Sequence, residues 1–409
     1  MYDVCVIGAG ASGVIAGIAA AKRGKKVLIL DKNKKICRKI YSTGNGKCNM
    51  TNENFSIAAN YNSESVDYPL FLDKILGQNP KDSVVKLFKE FGIILYNDNS
   101  YYYPKSNQAS SVVWALQDQI NKLKIDVKTK TSVNNIHKLE DKYEIKCLDN
   151  KSYYSRKIII ACGGASYSAI GGCFDGYNIA KNIGHKINTV SPALCGVHTK
   201  QNTEEISGVR VKSIAKIRVN ENTLPVQFNH LEENGELQIT ADGLSGIMIF
   251  NLSSRMNQLL DKKIPFYLEI DLIPNINFNE YRSLWKLSED RSIMGFINSL
   301  INDKLALYIT KILQINPKEN LNNLDSKSML SIYDTLKHLR FDITKLKDLD
   351  NGQVCHGGVN IEEINPDTMA SIYDNNIYIV GEMLDIDGVC GGYNLTFAFL
   401  SGLKAGMNV

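Results

Sequence analysis

The feature that most constrains this chain is a glycine fingerprint near its start. Gly8-Ala9-Gly10-Ala11-Ser12-Gly13 follows the apolar run Tyr2–Gly8 and opens the small, apolar stretch Ala11–Arg23. A second apolar run, Lys26–Leu30, then ends on an acid, Asp31. Apolar runs of this length read as strands buried on both faces, and the stretch between them reads as a helix packed close to a sheet. The order is the βαβ opening of a doubly wound α/β domain. Each part has a task in holding a dinucleotide. Gly8 permits the tight turn, Gly10 lets the backbone approach a pyrophosphate, and Gly13 lets the helix sit close to the strand. The helix N-terminus offers unpaired N–H groups and partial positive charge to phosphates. Asp31 is placed to accept hydrogen bonds from ribose hydroxyls. The fingerprint alone does not separate NAD from FAD.

Length and composition set the frame. A chain of 409 residues is too long for one ordinary core, so about two or three domains are expected. Hydrophobic residues at 44% and charged residues at 22% are those of a folded globular protein. The net charge of +4 is small and no dense basic block stands out, so nucleic acid is not expected as a partner. The nine cysteines are odd in number and widely spaced, with no C-x-x-C pair. That argues against a disulfide framework, a zinc site or a thiol relay, and for a reducing, cytoplasmic compartment. Val4–Ala21 carries no charge, but glycines interrupt it and no basic leader precedes it. A signal peptide or membrane helix is therefore not expected there.

Along the chain, Ser83–Gly92 and Ser110–Leu123 read as amphipathic helices, and Ile125–Thr131, Tyr143–Leu148 and Lys157–Ala161 read as strands. Residues 193–240 alternate apolar and polar positions, as antiparallel strands with one wet face do. From Leu244 to Leu339 the pattern is mainly helical, with Ile297, Leu300, Ile301, Leu305, Tyr308, Ile309 and Ile312 at helical spacing. Asn351–Gly358 reads as a Gly-rich loop, Ile377–Val380 as a buried strand, and Asn394–Gly402 as the opening of a last helix. The expected organisation is a discontinuous cofactor domain, residues 1–190 and 350–409. A β-rich segment, 191–250, with strands added from 264–274 and 340–350, and a helical segment, 251–340, lie between its parts.

Two further Gly-rich segments narrow the cofactor. Tyr41–Asn49, with Gly44, Asn45, Gly46, Lys47 and Cys48, follows Arg38-Lys39. Such a loop can lie along an extended cofactor and donate backbone N–H groups, with Lys39 or Lys47 near negative charge. Gly381–Asn394 follows a buried strand and runs into a helix through Gly391-Gly392-Tyr393-Asn394. A helix N-terminus aimed at a flavin pyrimidine ring stabilises the negative charge of the reduced cofactor at N1 and O2.

Together these segments resemble the BaiN/YhiN-like family of flavoproteins, which includes enzymes described as aminoacetone oxidases. The resemblance rests on the fingerprint, Arg38-Lys39, Ser42–Asn52, Cys162–Tyr167 with Asp175-Gly176-Tyr177 and Gly184-His185, Thr240–Gly246, and Gly381–Gly406. These motifs occur in order over nearly the whole chain. Asn45 and Lys47 stand where the family pattern has Gly and Arg, and Ser168 and Ile247 where it has Pro. Lys47 keeps a charge but not the planar fork of Arg. The resemblance implies a Rossmann-like FAD domain of the fumarate reductase flavoprotein kind, with an inserted barrel-like segment and a small helical domain. It implies non-covalent FAD held by Gly8, Gly10, Ala11, Ser12, Gly13, Asp31 and Lys32, and by Arg38, Lys39, Gly44, Asn45, Lys47, Cys48 and Asn49. Further contacts are implied at Val133, Ala161, Cys162 and Gly163. The C-terminal contacts are implied at Gly381, Glu382, Asp385, Gly388, Gly391, Gly392, Tyr393 and Asn394.

The expected activity is that of an FAD-dependent oxidoreductase passing hydride through flavin N5, and the family resemblance favours NAD(P)H-dependent reduction of an unsaturated or keto small molecule, steroid-like ones included. No second fingerprint marks a nicotinamide domain, so NAD(P)H, if used, would visit the flavin transiently. An oxidase of a small amine that uses dioxygen is the rival within the enzymes. A flavin redox sensor or interaction module is the rival outside them. An RNA-modifying flavoenzyme is disfavoured by the lack of a basic stripe. For proton transfer the candidates are His356, read on a Gly-rich loop, and Tyr103 in Tyr101–Pro104. The substrate, the catalytic acid and the oligomeric state are not legible.

Overall fold

The computed structural model describes residues 1–219 and 231–409. Residues 220–230 of the alternating stretch read as strands lie outside the described residues. The chain forms two compact units, Met1–Ala193 with Gly352–Val409, and Leu194–Asn351.

The first unit is built on β1 (Tyr2–Ile7), α1 (Ala11–Lys22) and β2 (Val27–Leu30). Val4–Ile7 and all of β2 are buried, as a sheet covered on both faces requires. Parallel neighbours run Asp126–Lys128, β2, β1, Ser152–Ile160 and Ile377–Ile379, with Val6 opposite both Ile29 and Ile159. Tyr143–Cys147 and Val133–Lys138 extend Ser152–Ile160 as an antiparallel meander. The fingerprint folds as its spacing predicts. A Cβ on Gly13 would lie 2.0 Å from Gly8 O, and one on Gly8 would lie 2.3 Å from Ala161 O. Gly10 has nothing within 4 Å of the Cβ position.

The C-terminal helix, Tyr393–Asn408, packs on α1. Its Gly402 and Gly406 approach so closely that added Cβ atoms would lie 2.3 Å from Ser12 O and 2.2 Å from Ala16 O. Two small residues one turn apart thus set the distance between the helices, as small residues do wherever backbones pack closely.

Two expectations need correction. Asn351–Gly358 is not a loop: Val354–Val359 is a strand paired antiparallel with Ile187–Ala193. The register shifts between Asn188 and Ser191, and Gly357, at φ +82°, has Thr189 O where its Cβ would be, at 2.0 Å. The glycines that read as a loop are demanded by a bulged, close-packed strand. The stripe from Ile297 to Ile312 is not one helix either. Ile293–Ile297 and Asp303–Ile312 are separate, and Asn302 caps the second by accepting from Lys304 N at 3.0 Å.

In the second unit the stretches read as 191–250 and 251–340 share one core. A sheet runs in the order Leu339–Phe341, Phe266–Asp271, Arg210–Val219, Glu232–Thr240, Gly243–Ser245, Val197–Thr199, Ile343–Leu346. Met248, Leu252, Met256 and Leu259 of the helix Ile247–Asp261 belong to the same buried cluster as Ala215, Leu237 and Leu268 of the sheet. Tyr281, Trp285 and Phe296 extend it, with ring centroids 5.2 to 6.0 Å apart. Among the described residues no helix is long and apolar enough to cross a membrane.

Candidate cofactor groove

A groove open to solvent runs over the C-terminal ends of β1 and Ser152–Ile160 in the first unit. Gly8, Gly10, Ala11 and Ser12 line it from the fingerprint, and Asp31, Arg38, Lys39 and Asn45 from the segment after β2. Ala161, Cys162 and Gly163 line it from the end of the central strand, and Glu382 and Asn394 from the C-terminal segment. A smaller adjoining cleft shares Gly8, Asp31 and Cys162 and adds Lys32 and Val133.

Two helices start on this groove. Neither α1 nor the C-terminal helix has a side-chain cap, and neither has an acid in its first turn. Ala11 and Ser12 of one and Asn394 and Leu395 of the other line the same space. Each start leaves unpaired N–H groups and partial positive charge. Gly10 adds an open approach for a ligand. These features fit an anionic dinucleotide that carries a pyrophosphate and an electron-rich ring.

Asp31 is buried, and it already accepts two backbone N–H groups, from Ala9 and from Asn33, each at 2.7 Å. A carboxylate has about four lone-pair sites, so the acid that braces the turn can also accept from a sugar. Lys39 finds its negative charge within the chain: its Nζ lies 3.1 Å from Glu382 Oε2. Glu382 Oε1 accepts from Cys355 N at 3.1 Å. Arg38 donates to Asn33 Oδ1 at 2.9 Å and to Ala169 O at 3.0 Å. Lys32 pairs with Asp175 at 3.6 Å. Asn45 has φ +53°. Where the family pattern has Gly, the chain thus has one of the few residues with a side chain that tolerate a left-handed backbone.

Other expected residues lie beside the groove and shape it. Gly13 is buried under the turn. Gly44, at φ +55°, packs against Asn49 and the Tyr103 ring. Lys47 is exposed, and the Cys48 thiol is buried, which pushes its pKa up to about 12 and makes it a packing group. Gly381, at φ +68°, abuts Ser12 Oγ, and its N–H donates to Ser401 Oγ at 3.1 Å. Gly388 is bracketed by Asn394, whose Oδ1 accepts from its N at 2.8 Å and whose Nδ2 donates to its O at 2.7 Å. Gly391 O accepts from Asn52 Nδ2 at 3.0 Å, and Gly392 lies against Thr51. Tyr393 donates to Asn54 O at 2.8 Å.

Neither proton-transfer candidate lines the groove. Tyr103 sits in the strand Tyr101–Pro104, its ring tilted at 40° to that of Tyr96 with centroids 6.3 Å apart. His356 lies inside the strand Val354–Val359, buried, with Nδ1 2.6 Å from Asp387 Oδ1. Asp385 is equally buried and is held by Asn188, Ser63 and Glu64. Another buried histidine, His185, bonds Glu363 at 3.0 Å and Ser371 at 2.8 Å. Burial pushes its pKa down, and Ser371 is closed to solvent, so this Ser–His–Glu set is a bolt inside the fold. Sequence reasoning missed Gln353 and Val354 on the wall, which belong to no motif, and Ile386 and Ala398, which lie within the Gly381–Gly406 motif but were not singled out. Tyr167 was within a motif; its φ of +58° is the signal that it is held in a special place.

The HI0933-like protein Rossmann domain family matches residues 2–408. The chain belongs to that family. It has the fold class of a Rossmann-type FAD-binding domain and is an enzyme of the FAD-dependent oxidoreductase class. A 3-dehydro-bile acid delta(4,6)-reductase from Clostridium scindens is 31% identical over 413 residues, 99% of this chain and 98% of that protein. The ribosomal RNA dihydrouridine synthase of Haemophilus influenzae is 25% identical over 99% of this chain and 97% of its own length. That of Escherichia coli is 26% identical over 98% and 96%. Among solved structures, the open conformation of a flavocytochrome c3 fumarate reductase aligns at a TM-score of 0.50 and 15% identity, over 100% of this chain and 78% of that one. That likeness concerns the fold.

Proposed function

We propose that the protein binds FAD non-covalently along the groove and reduces a carbon–carbon double bond conjugated with a carbonyl in a small, steroid-like molecule, with NAD(P)H as donor. The observation that carries the cofactor half is the pair of uncapped helix starts opening on one groove, with Asp31 at its end. The first turn of α1 would hold the pyrophosphate, Asp31 a ribose, and the start of the C-terminal helix the pyrimidine edge. Lys39 and Glu382 would orient the middle of the cofactor from opposite sides of their ion pair. When bound, the flavin supplies hydride from N5.

The substrate half is supported by full-length similarity to a reductase named for a 3-dehydro-bile acid. Reduction of a conjugated bond adds hydride to the β-carbon and a proton to the α-carbon. The chain binds and orients the substrate for the first. The second needs a donor other than His356 or Tyr103, since neither lines the groove. A uracil base of RNA offers the same kind of bond. The two relatives named ribosomal RNA dihydrouridine synthases favour that as a second reading. Acid extraction of the purified protein should release FAD. NADPH oxidation should then be stimulated by a 4-ene-3-oxo steroid and not by ribosomal RNA. Stimulation by RNA alone would replace the first reading with the second.

A further inference from the structure

We propose that His356 is a positioning residue for the cofactor: through Asp387 it fixes the Asp385–Gly388 loop, and with it Ile386 and the first turn of the C-terminal helix, against the groove. The inference rests on the reading that the groove holds FAD.

The chain of contacts is short. His356 is 1% exposed and Asp387 1%. Their 2.6 Å contact is backed by Asn62 Nδ2, which donates to Asp387 Oδ2 at 3.2 Å. Asp387 and Gly388 pair antiparallel with Asn62 and Tyr61. Gly388 is clasped by the Asn394 side chain, and Tyr61 Oη donates to Tyr393 O at 3.0 Å. Ile386 and Asn394, on either side of this clasp, both line the groove. A shift of Asp387 is therefore transmitted to groove-lining atoms through hydrogen bonds and one residue of backbone.

The electrostatics say why a histidine stands there. Two wholly buried carboxylates, Asp385 and Asp387, sit on one short loop. Burying them together without a cation would be costly. Burial by itself would push the His356 pKa down, but Asp387, with Asp385 and Glu64, outweighs it and holds the value up to about 9. Across the facing strand stands Ser191, which does not titrate. His356 Nε2 and Asp385 Oδ1 are both buried without a hydrogen-bond partner among the described residues. The cluster thus holds a donor and an acceptor still to be satisfied.

The test compares flavin-loaded wild type with His356→Gln, which keeps a donor for Asp387 but no charge. The flavin absorbance and fluorescence of the wild type should shift with a midpoint near pH 9, and the variant should hold FAD and lose that transition. Its flavin midpoint potential should differ from that of the wild type at pH 7. Identical spectra, pH profiles and potentials in the two proteins overturn the proposal. If His356→Gln does not fold, wild type labelled with ¹³C-histidine serves. Its buried His356 resonance should move when the flavin is reduced anaerobically with dithionite, and an unmoved resonance overturns the proposal. Purified protein that carries no FAD and takes none up overturns the FAD reading as well. A loaded protein with a pH-independent flavin overturns this inference alone.

Discussion

The Asp31 carboxylate accepts the backbone N–H of Ala9 at 2.7 Å, tying the end of the second strand to the middle of the glycine turn. Its other oxygen accepts from Asn33 N. The acid expected to serve a ribose is therefore also a brace of the turn itself. Asp31→Ala should weaken both the folding stability of the apoprotein and the binding of FAD, each by about 1–3 kcal/mol, since buried donors lose a charged acceptor. Asp31→Asn keeps one carbonyl acceptor and should cost less on both counts. Calorimetry of apoprotein and titration with FAD check this. An apoprotein melt unchanged by Asp31→Ala would contradict the bracing role.

The fingerprint glycines should separate by readout. A side chain on Gly10 meets nothing within 4 Å and projects into open space. Gly10→Val should leave the folding stability of the apoprotein within about 0.5 kcal/mol of wild type and abolish FAD retention. Gly13→Ala puts a Cβ 2.0 Å from Gly8 O, so it should destabilise the apoprotein itself. Thermal melts of cofactor-free protein beside flavin content distinguish the two.

Gly406 tests the seat of the C-terminal helix. A Cβ there would lie 2.2 Å from Ala16 O. Gly406→Val should cost about 3 kcal/mol, the upper part of the range for overpacking. Denaturant midpoints measure it, and a stable variant would mean that the two helices can part without loss.

His356 predicts a pH dependence with a defined sign. Its pKa is raised in the fold to about 9 from 6.5. The stabilisation is fully present below the unfolded value near 6.5 and is lost as pH rises through about 9. Stability should fall by on the order of 3 kcal/mol across that window. His356→Gln should flatten this part of the curve. Chemical denaturation between pH 6 and pH 10 reads it, and a wild-type curve that is flat there would contradict the buried charged pair.

What was legible in the sequence was what local stereochemistry demands. Gly13 has to be glycine because Gly8 O lies where its side chain would be, and Gly8 because it takes φ +107°, and that need survives in the sequence as a spacing. Asn45 in place of Gly is readable for the same reason. Gly357 misled because its need is tertiary: Thr189 O, distant in sequence, occupies its side-chain space, so a strand looked like a loop. The break at Asn302 was hidden because Ile301 and Leu305 on either side of it are both buried and keep helical spacing. Gln353, Val354 and Ile386 reach the groove by chain path alone. The second task of Asp31 depends on a hydrogen bond to backbone, which no residue pattern records.

The central claim is tested most directly by mixing. Protein loaded with FAD and reduced by photochemistry under anaerobic conditions is mixed in a stopped-flow cell with a 4-ene-3-oxo steroid, with uridine-containing ribosomal RNA, or with air-saturated buffer. The account predicts rapid return of the oxidised flavin absorbance with the steroid, with the saturated ketone as product. Reoxidation by oxygen alone at a rate matching turnover of a small amine, or by RNA alone, would contradict it.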